Sequence, residues 1–273
     1  MNVRRAGVAA VRAHHSRGVG RMVRKLVSAW VWGATVVVAL LWLPWMGLVW
    51  LFTAPRDPGR YTVGRWFRRA AVTSVTLNPF WKFRTTGVLI DDPRRPYVAV
   101  ANHESMADIF LLSHLPWEMK WMSKDAIFRI PIMGWMMRMA GDVMVRRSDA
   151  GSRMRAMEEA RDRLRKKVSI MIMPEGTRSV GEELLKFHDG AFRLAIETGA
   201  PILPIALAGT RNAIAKGSWL VGRARAIAKV LPPVETAGLT LDDVPVLREK
   251  VRAMIGEARA ALLRELSTEP ARA

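Results

Sequence analysis

Tyr97-Val98-Ala99-Val100-Ala101-Asn102-His103-Glu104-Ser105 reads as a strand that ends in a polar turn. Five uncharged residues in a row, alternately β-branched and small, suit a strand buried on both faces. Downstream, Ser105 to Leu115 reads as a helix, with Ser105 placed to cap its first turn. Ser169-Ile170-Met171-Ile172-Met173 and Pro201 to Leu207 read as two further buried strands, and Arg223 to Leu231 alternates like a half-exposed one. Between them, Asp149 to Lys167 sets Met154, Met157, Ala160 and Leu164 at helical spacing. Thr240 to Leu266 is a long amphipathic pattern opened by the capping pair Thr240 and Asp243. Strands alternating with helices predict an α/β domain with a central, mostly parallel sheet covered by helices.

Upstream the character changes. Residues 1–25 are basic and carry no acid, and Leu26 to Phe52 then run 27 residues without a charge. An unbroken helix of that length would reach about 40 Å, enough to cross a bilayer. Pro44 interrupts the run, and Trp30, Trp32, Trp42, Trp45 and Trp50 crowd its ends, where interfacial indoles sit. Residues 53–70 are basic again, so a single span would put one basic flank outside. A segment that enters one leaflet, bends near Pro44 and returns keeps both flanks on one side. Tyr61 to Phe83 mixes arginines with Trp66, Phe67, Phe80 and Trp81, as an in-plane amphipathic element would. The expected organisation is a basic lead (1–25), a membrane-associated helical segment (26–83) and an α/β domain (84–273).

The whole chain has 273 residues, a net charge of +19 and no cysteine. Lack of Cys removes disulfides, thiolate metal sites and a thiol nucleophile. The positive excess favours an anionic partner: nucleic acid, lipid headgroups or a phosphorylated substrate.

Two motifs carry chemistry. Asn102-His103-Glu104-Ser105-Met106-Ala107-Asp108 stands where the first strand gives way to a helix. On a regular helix a five-residue step would turn Asp108 about 140° from His103. They meet only if His103 lies in the preceding turn and Asp108 one turn inside; the same spacing also suits an Asp that merely complements the helix dipole. Pro174-Glu175-Gly176-Thr177-Arg178 follows the second strand directly, where a glycine lets backbone amides approach a ligand and Arg can grip a phosphate. A plain surface turn would use the same residue types.

Together these motifs resemble the glycerolipid acyltransferase family that includes bacterial 1-acylglycerol-3-phosphate acyltransferases. Asn102-His103 with Asp108 is similar to its His-x4-Asp motif. Gly141 to Arg146 is similar to the second block, Glu175 to Arg178 to the third and Pro201 to Ala206 to the fourth, in family order. The resemblance implies His103 as general base, Asp108 as its orienting partner, and Lys124, Arg146 and Arg178 as phosphate-binding residues. Glu175, Gly176 and Thr177 would shape the pocket. It implies a lysophospholipid acceptor, an acyl-CoA or acyl-carrier-protein donor and no cofactor; the two basic flanks favour a place on the cytoplasmic face of the inner membrane, monotopic rather than single-span. The acceptor expected is 1-acylglycerol-3-phosphate, acylated at its sn-2 hydroxyl to phosphatidic acid; the alternatives are glycerol-3-phosphate, a lyso-ornithine lipid or another lysophospholipid, and a phosphate-binding set favours the phosphate-bearing ones. A nucleic-acid binder or a non-catalytic membrane-surface scaffold are the readings from other classes; no nucleic-acid motif supports the first, and the His103–Asp108 pair argues against the second.

Overall fold

A computed structural model describes residues 2–179, 181 and 183–268, with residues 2–21 as backbone only. The side chains of Arg4, Arg5, Arg12, Arg17 and Arg21 in the lead, with His14 and His15, lie outside the described side chains, whereas those of Arg24 and Lys25 are described. A long helix α1 (Asn2–Thr53) and a second, α2 (Tyr61–Thr76), lead into strand β1 (Trp81–Gly87). Then follow β2 (Val98–Ala101), α3 (Asp108–Leu112), β3 (Met119–Lys124), α4 (Asp125–Phe128), α5 (Met133–Ala140), β4 (Val143–Val145) and α6 (Ala150–Arg165). The chain continues through β5 (Ser169–Ile172), α7 (Gly190–Thr198), β6 (Ile202–Ala208), β7 (Ala224–Val230) and α8 (Val244–Thr268).

The seven strands form one sheet in the order β1-β7-β6-β2-β5-β3-β4. Every pairing is parallel except β6 with β7. Period-two alternation sorts the side chains between two cores. Val98, Val100, Ile170 and Ile202 face α6, α7 and α8, meeting Leu164, Phe192, Leu247 and Ile255. Ala99, Ala101, Met171, Leu203 and Ile205 face the other way, onto Leu111, Leu112 and Trp117. Helices on both faces leave the strand ends as the open edges of the layer, which is where α/β folds bind ligands.

Several elements differ from the sequence reading. Helix α1 is continuous through Pro44, so the expected bend and return is not seen. Proline removes one N–H donor from the ladder, yet neighbouring turns hold the helix. Instead of looping into a leaflet, α1 lies along the domain. Ser28, Val31, Val38, Trp42, Met46 and Val49 recur at helical spacing on its inner face, packed against α2, α5 and the Ala213–Val221 segment. The Trp32 indole donates to Trp219 O at 2.8 Å, and Val221 N donates to Ser28 Oγ at 2.9 Å. The outer face exposes Leu26, Trp30, Val37, Leu41, Leu48 and Leu51.

The amphipathic 61–83 stretch is likewise divided: α2 stops at Thr76, and Trp81 and Phe83 belong to β1, which crosses the expected boundary between 83 and 84. Beneath α2 lies a charge cluster. Arg68 bonds Glu118 and Asp142, and Lys120 Nζ donates to Glu118 Oε1 at 3.0 Å and to Arg60 O at 2.7 Å. Burial pushes the Glu118 carboxyl up and the Lys120 ammonium down from their ordinary values, each opposed by the other's charge.

Candidate active site

Parallel strands deliver their carboxyl ends to one edge of the sheet. The carboxyl ends of β2, β5, β3 and β4 bring His103, Glu175, Lys124 and Arg146 to this edge in that order, Lys124 as the last residue of β3 and the others in the turns that follow. At about 4.8 Å per strand, these turns span roughly 14 Å.

The geometry around His103 starts from Asn102. Its side chain continues the β2–β6 ladder: Nδ2 donates to Leu207 O at 3.0 Å, and Leu207 N donates to Oδ1 at 2.8 Å. Fixing Asn102 fixes the next residue. The His103 backbone N–H donates to Glu175 Oε1 at 2.8 Å, and its carbonyl accepts from Ser179 N at 2.8 Å. The loops after β2 and β5 are thus joined on both sides of the imidazole.

His103 Nδ1 lies 2.7 Å from Asp108 Oδ2. Asp108 is completely buried, whereas the imidazole keeps 19% of its side-chain surface exposed. The same Oδ2 accepts from the backbone N–H groups of Glu104 at 2.8 Å and Ser105 at 3.0 Å, and Oδ1 accepts from the Thr210 hydroxyl. Four donors converge on one carboxylate, which therefore acts only as an acceptor. Nδ1 must then carry the hydrogen, leaving the lone pair of Nε2 available on the other side of the ring.

Ser105 is not the expected helix cap. Helix α3 begins at Asp108, and the Ser105 hydroxyl donates to Ile214 O at 2.7 Å and accepts from Ala107 N. The physical reason is that Asp108 itself satisfies the N–H groups of the turn, so the turn closes backwards onto the aspartate. Thr210 reaches Asp108 because Gly209 turns with φ +92; a Cβ there would lie 2.1 Å from Arg225 O. Behind the turn, Arg259 Nε of α8 donates to Glu104 Oε1 at 2.6 Å. Burial pushes the Glu104 carboxyl up, against the pull of Arg259.

The second motif divides its labour. Glu175 is buried, and its two oxygens accept from His103 N and from Leu185 N at 3.0 Å. Burial pushes its carboxyl up, and those two N–H donors oppose the rise. Gly176 turns at φ +67 beneath the His188 ring, where a Cβ would sit 3.2 Å from Cδ2. Thr177 is exposed. Arg178 is half-buried and makes no ion pair among the described residues.

Lys124 and Arg146 form a separate group, side by side where β3 and β4 end. Both are exposed, and Arg146 Nε lies 3.3 Å from Asp125 Oδ2, which also pairs with Arg129. His103, Asp108, Glu175 and Gly176 are therefore directly linked, and the two basic residues stand farther along the same edge. Thr210, Glu104 and Arg259 had no spacing signal in the sequence that tied them to His103. Among the described residues no three His, Asp or Glu side chains group as metal ligands.

Residues 84–208 match the Acyltransferase family model, the family type that the motifs resemble. The chain is 36% identical over 169 residues to a 1-acyl-sn-glycerol-3-phosphate acyltransferase of Chlamydomonas reinhardtii, covering 60% of this chain and 51% of that one. It is 33% identical over 179 residues to the human 1-acyl-sn-glycerol-3-phosphate acyltransferase alpha, covering 65% of this chain and 62% of that one. The chain thus spans about half the length of the first of these relatives. Its fold matches the crystal structure of the 1-acyl-sn-glycerophosphate (LPA) acyltransferase from Thermotoga maritima with a TM-score of 0.69 at 24% identity, over 91% of this chain and all of that one.

Proposed function

We propose that the protein transfers a fatty acyl group from acyl-CoA or an acyl-carrier-protein thioester to the sn-2 hydroxyl of 1-acylglycerol-3-phosphate, forming phosphatidic acid. The observation that carries this reading is the 2.7 Å contact between His103 Nδ1 and the buried, four-donor Asp108. In the reaction, Nε2 of His103 takes the proton of the acceptor hydroxyl as its oxygen attacks the thioester carbonyl. The C–O bond forms, the C–S bond breaks, and the imidazolium returns the proton to the leaving thiolate. Asp108 holds the tautomer and stabilises the transient imidazolium, as the aspartate of a catalytic triad does. The acceptor is itself the nucleophile, so no covalent acyl-enzyme forms and no cofactor enters.

Arg178, Lys124 and Arg146 hold the acceptor phosphate in this reading. A phosphate accepts several charged hydrogen bonds, and half-buried Arg178 follows the same turn as Glu175. Glu175, Gly176 and Thr177 shape the turn between base and phosphate. Acceptors without phosphate, such as lyso-ornithine lipids, offer these cations no phosphate to hold.

The acceptor's acyl chain keeps it in a bilayer, so the enzyme works at a surface. Met22–Thr53 is long and apolar enough to cross a membrane. We favour a monotopic enzyme on the cytoplasmic face of the inner membrane, because α1 packs lengthwise on the domain beside the arginines of α2, which a bilayer core would not tolerate. The deciding experiment offers purified protein one acyl-thioester donor and a panel of acceptors. 1-Acylglycerol-3-phosphate should be used fastest and His103→Ala should be inactive; preference for a phosphate-free acceptor overturns the assignment.

A further inference from the structure

Helix α8 comes from the far end of the chain and sets one buried guanidinium beside the His103 turn. Arg259 is 6% exposed and Glu104 2%, and Arg259 Nε donates to Glu104 Oε1 at 2.6 Å across 155 positions of sequence. One turn to either side of Arg259, Ile255 and Leu262 pack into the core on that face of the sheet. Arg252, two turns earlier, donates to Leu184 O at 2.8 Å and to Leu185 O at 3.2 Å. Leu185 in turn supplies an N–H to Glu175. One helix therefore braces the turn through both of its loops.

Glu104 stands between the base and its partner. It follows His103 directly, and its backbone N–H donates to Asp108 Oδ2 at 2.8 Å. The main chain of this residue thus serves Asp108 while its side chain is held by α8. Burial raises the Glu104 carboxyl, Arg259 opposes the rise, and the Asp108 charge adds to it. Half-buried Arg211 contributes a smaller opposing pull. Three carboxylates, Glu104, Asp108 and Glu175, are buried around the turn. Burial raises Glu175 too, and the Arg259 charge is among those that pull it back.

Ion pairs this deeply buried seldom stabilise a fold more than apolar side chains of the same volume would. Removing one partner is another matter, because the charge left behind is uncompensated. A Glu104 carboxylate without Arg259 would have to swing out toward water, and its backbone N–H would leave Asp108 with it. We propose that Arg259 is a positioning residue for acyl transfer: by neutralising Glu104 it keeps the Glu104 N–H on Asp108, and so keeps Asp108 aimed at His103. This inference rests on the reading of His103 as the general base.

The test measures kcat and both KM values of the full chain in non-ionic detergent micelles, with one acyl-thioester donor and 1-acylglycerol-3-phosphate. Arg259→Met keeps the length of the side chain and removes its charge. Its kcat should fall at least about tenfold while both KM values stay within about twofold, since the substrate contacts are untouched. Arg259→Met combined with Glu104→Gln buries no unpaired charge and should recover kcat to within about threefold of wild type, a coupling that packing alone does not produce. Leu262→Ala, which removes only packing from the same helix, should melt earlier with kcat unchanged. Wild-type kcat in Arg259→Met, or a double variant that fails to recover, overturns the assignment. Where Arg259→Met does not fold, the double variant decides alone: a folded protein with kcat within about threefold of wild type supports the coupling, and a slower or unfolded one overturns it. His103→Ala, run beside them, keeps the two readings apart. Turnover in that variant removes the base itself, whereas an inactive His103→Ala with an unimpaired Arg259→Met removes only the role of Arg259.

Discussion

Glu175 touches His103 through the backbone: its Oε1 accepts the His103 N–H at 2.8 Å while Oε2 accepts Leu185 N–H at 3.0 Å. A carboxylate can take both donors, but a carboxamide of the same shape has only one acceptor oxygen. Glu175→Gln should therefore leave one buried N–H unpaired and cost about 1–3 kcal/mol. Because that N–H sets the His103 turn, kcat should fall more than the acceptor KM rises. Steady-state kinetics with a urea melt check this; a variant of wild-type stability and turnover contradicts it.

His103→Ala should lower turnover by about 10²–10⁴-fold, the usual worth of a general base, with melting and membrane binding unchanged. Asp108→Asn should lose comparable activity and also stability, because two backbone N–H groups and the Thr210 hydroxyl bond the same carboxylate. Thr210→Val removes one of those donors and should slow the reaction about tenfold, the worth of one charged hydrogen bond. Full activity of pure His103→Ala protein would remove the base from the mechanism.

Arg178→Ala should raise the KM of the acceptor strongly and that of the thioester only slightly, since the lost bonds are to phosphate. Equal effects on both substrates would mark Arg178 as a structural residue.

Much of the His103–Asp108 turn could be read from residue order, because strand β2, its polar end and Asp108 are contiguous. The sheet was harder. Strand β3 contains two lysines, and Lys120 is completely buried, so charge masked a core strand. Strand β4 has only three residues, too few for a period. In β1, Trp81-Lys82-Phe83-Arg84 continues the aromatic–basic mixture of α2 and gives no local sign that the backbone becomes extended. Thr210 acts on Asp108 from 102 positions away, a distance at which only the folded sheet supplies the connection.

The cluster beneath α2 makes a pH-dependent prediction. Lys120→Met removes a buried cation and leaves Glu118 with less compensation, costing about 3–5 kcal/mol at neutral pH. Burial already holds the Glu118 carboxyl above its ordinary value, and losing Lys120 raises it further. A carboxyl raised in the folded state stabilises below its unfolded pKa, and that contribution is lost as pH rises through the folded value. The gap between wild type and Lys120→Met should therefore narrow from pH 7.5 to pH 5.5 in urea melts. A gap that widens on acidification would show that Glu118 is not the group responsible.

High salt should not release the full chain from membranes, because the outer face of α1 is apolar rather than basic. On the cysteine-free background, Ser16→Cys and Thr53→Cys should both resist an impermeant thiol reagent applied outside intact cells. Labelling at Ser16→Cys alone would establish a single span.

The inner face of α1 carries a practical consequence for anyone who wants this protein in aqueous solution. Met46 is wholly buried, and Val31 and Val38 are nearly so, each contributing roughly 1.5–3 kcal/mol of burial to the domain. Cutting the helix away would strip Phe67, Phe128 and Met136 of their cover and invite aggregation. Solubility has to come from repainting the outward side instead. Polar replacements at Leu26, Trp30, Leu41, Leu48 and Leu51 would leave every inward contact in place.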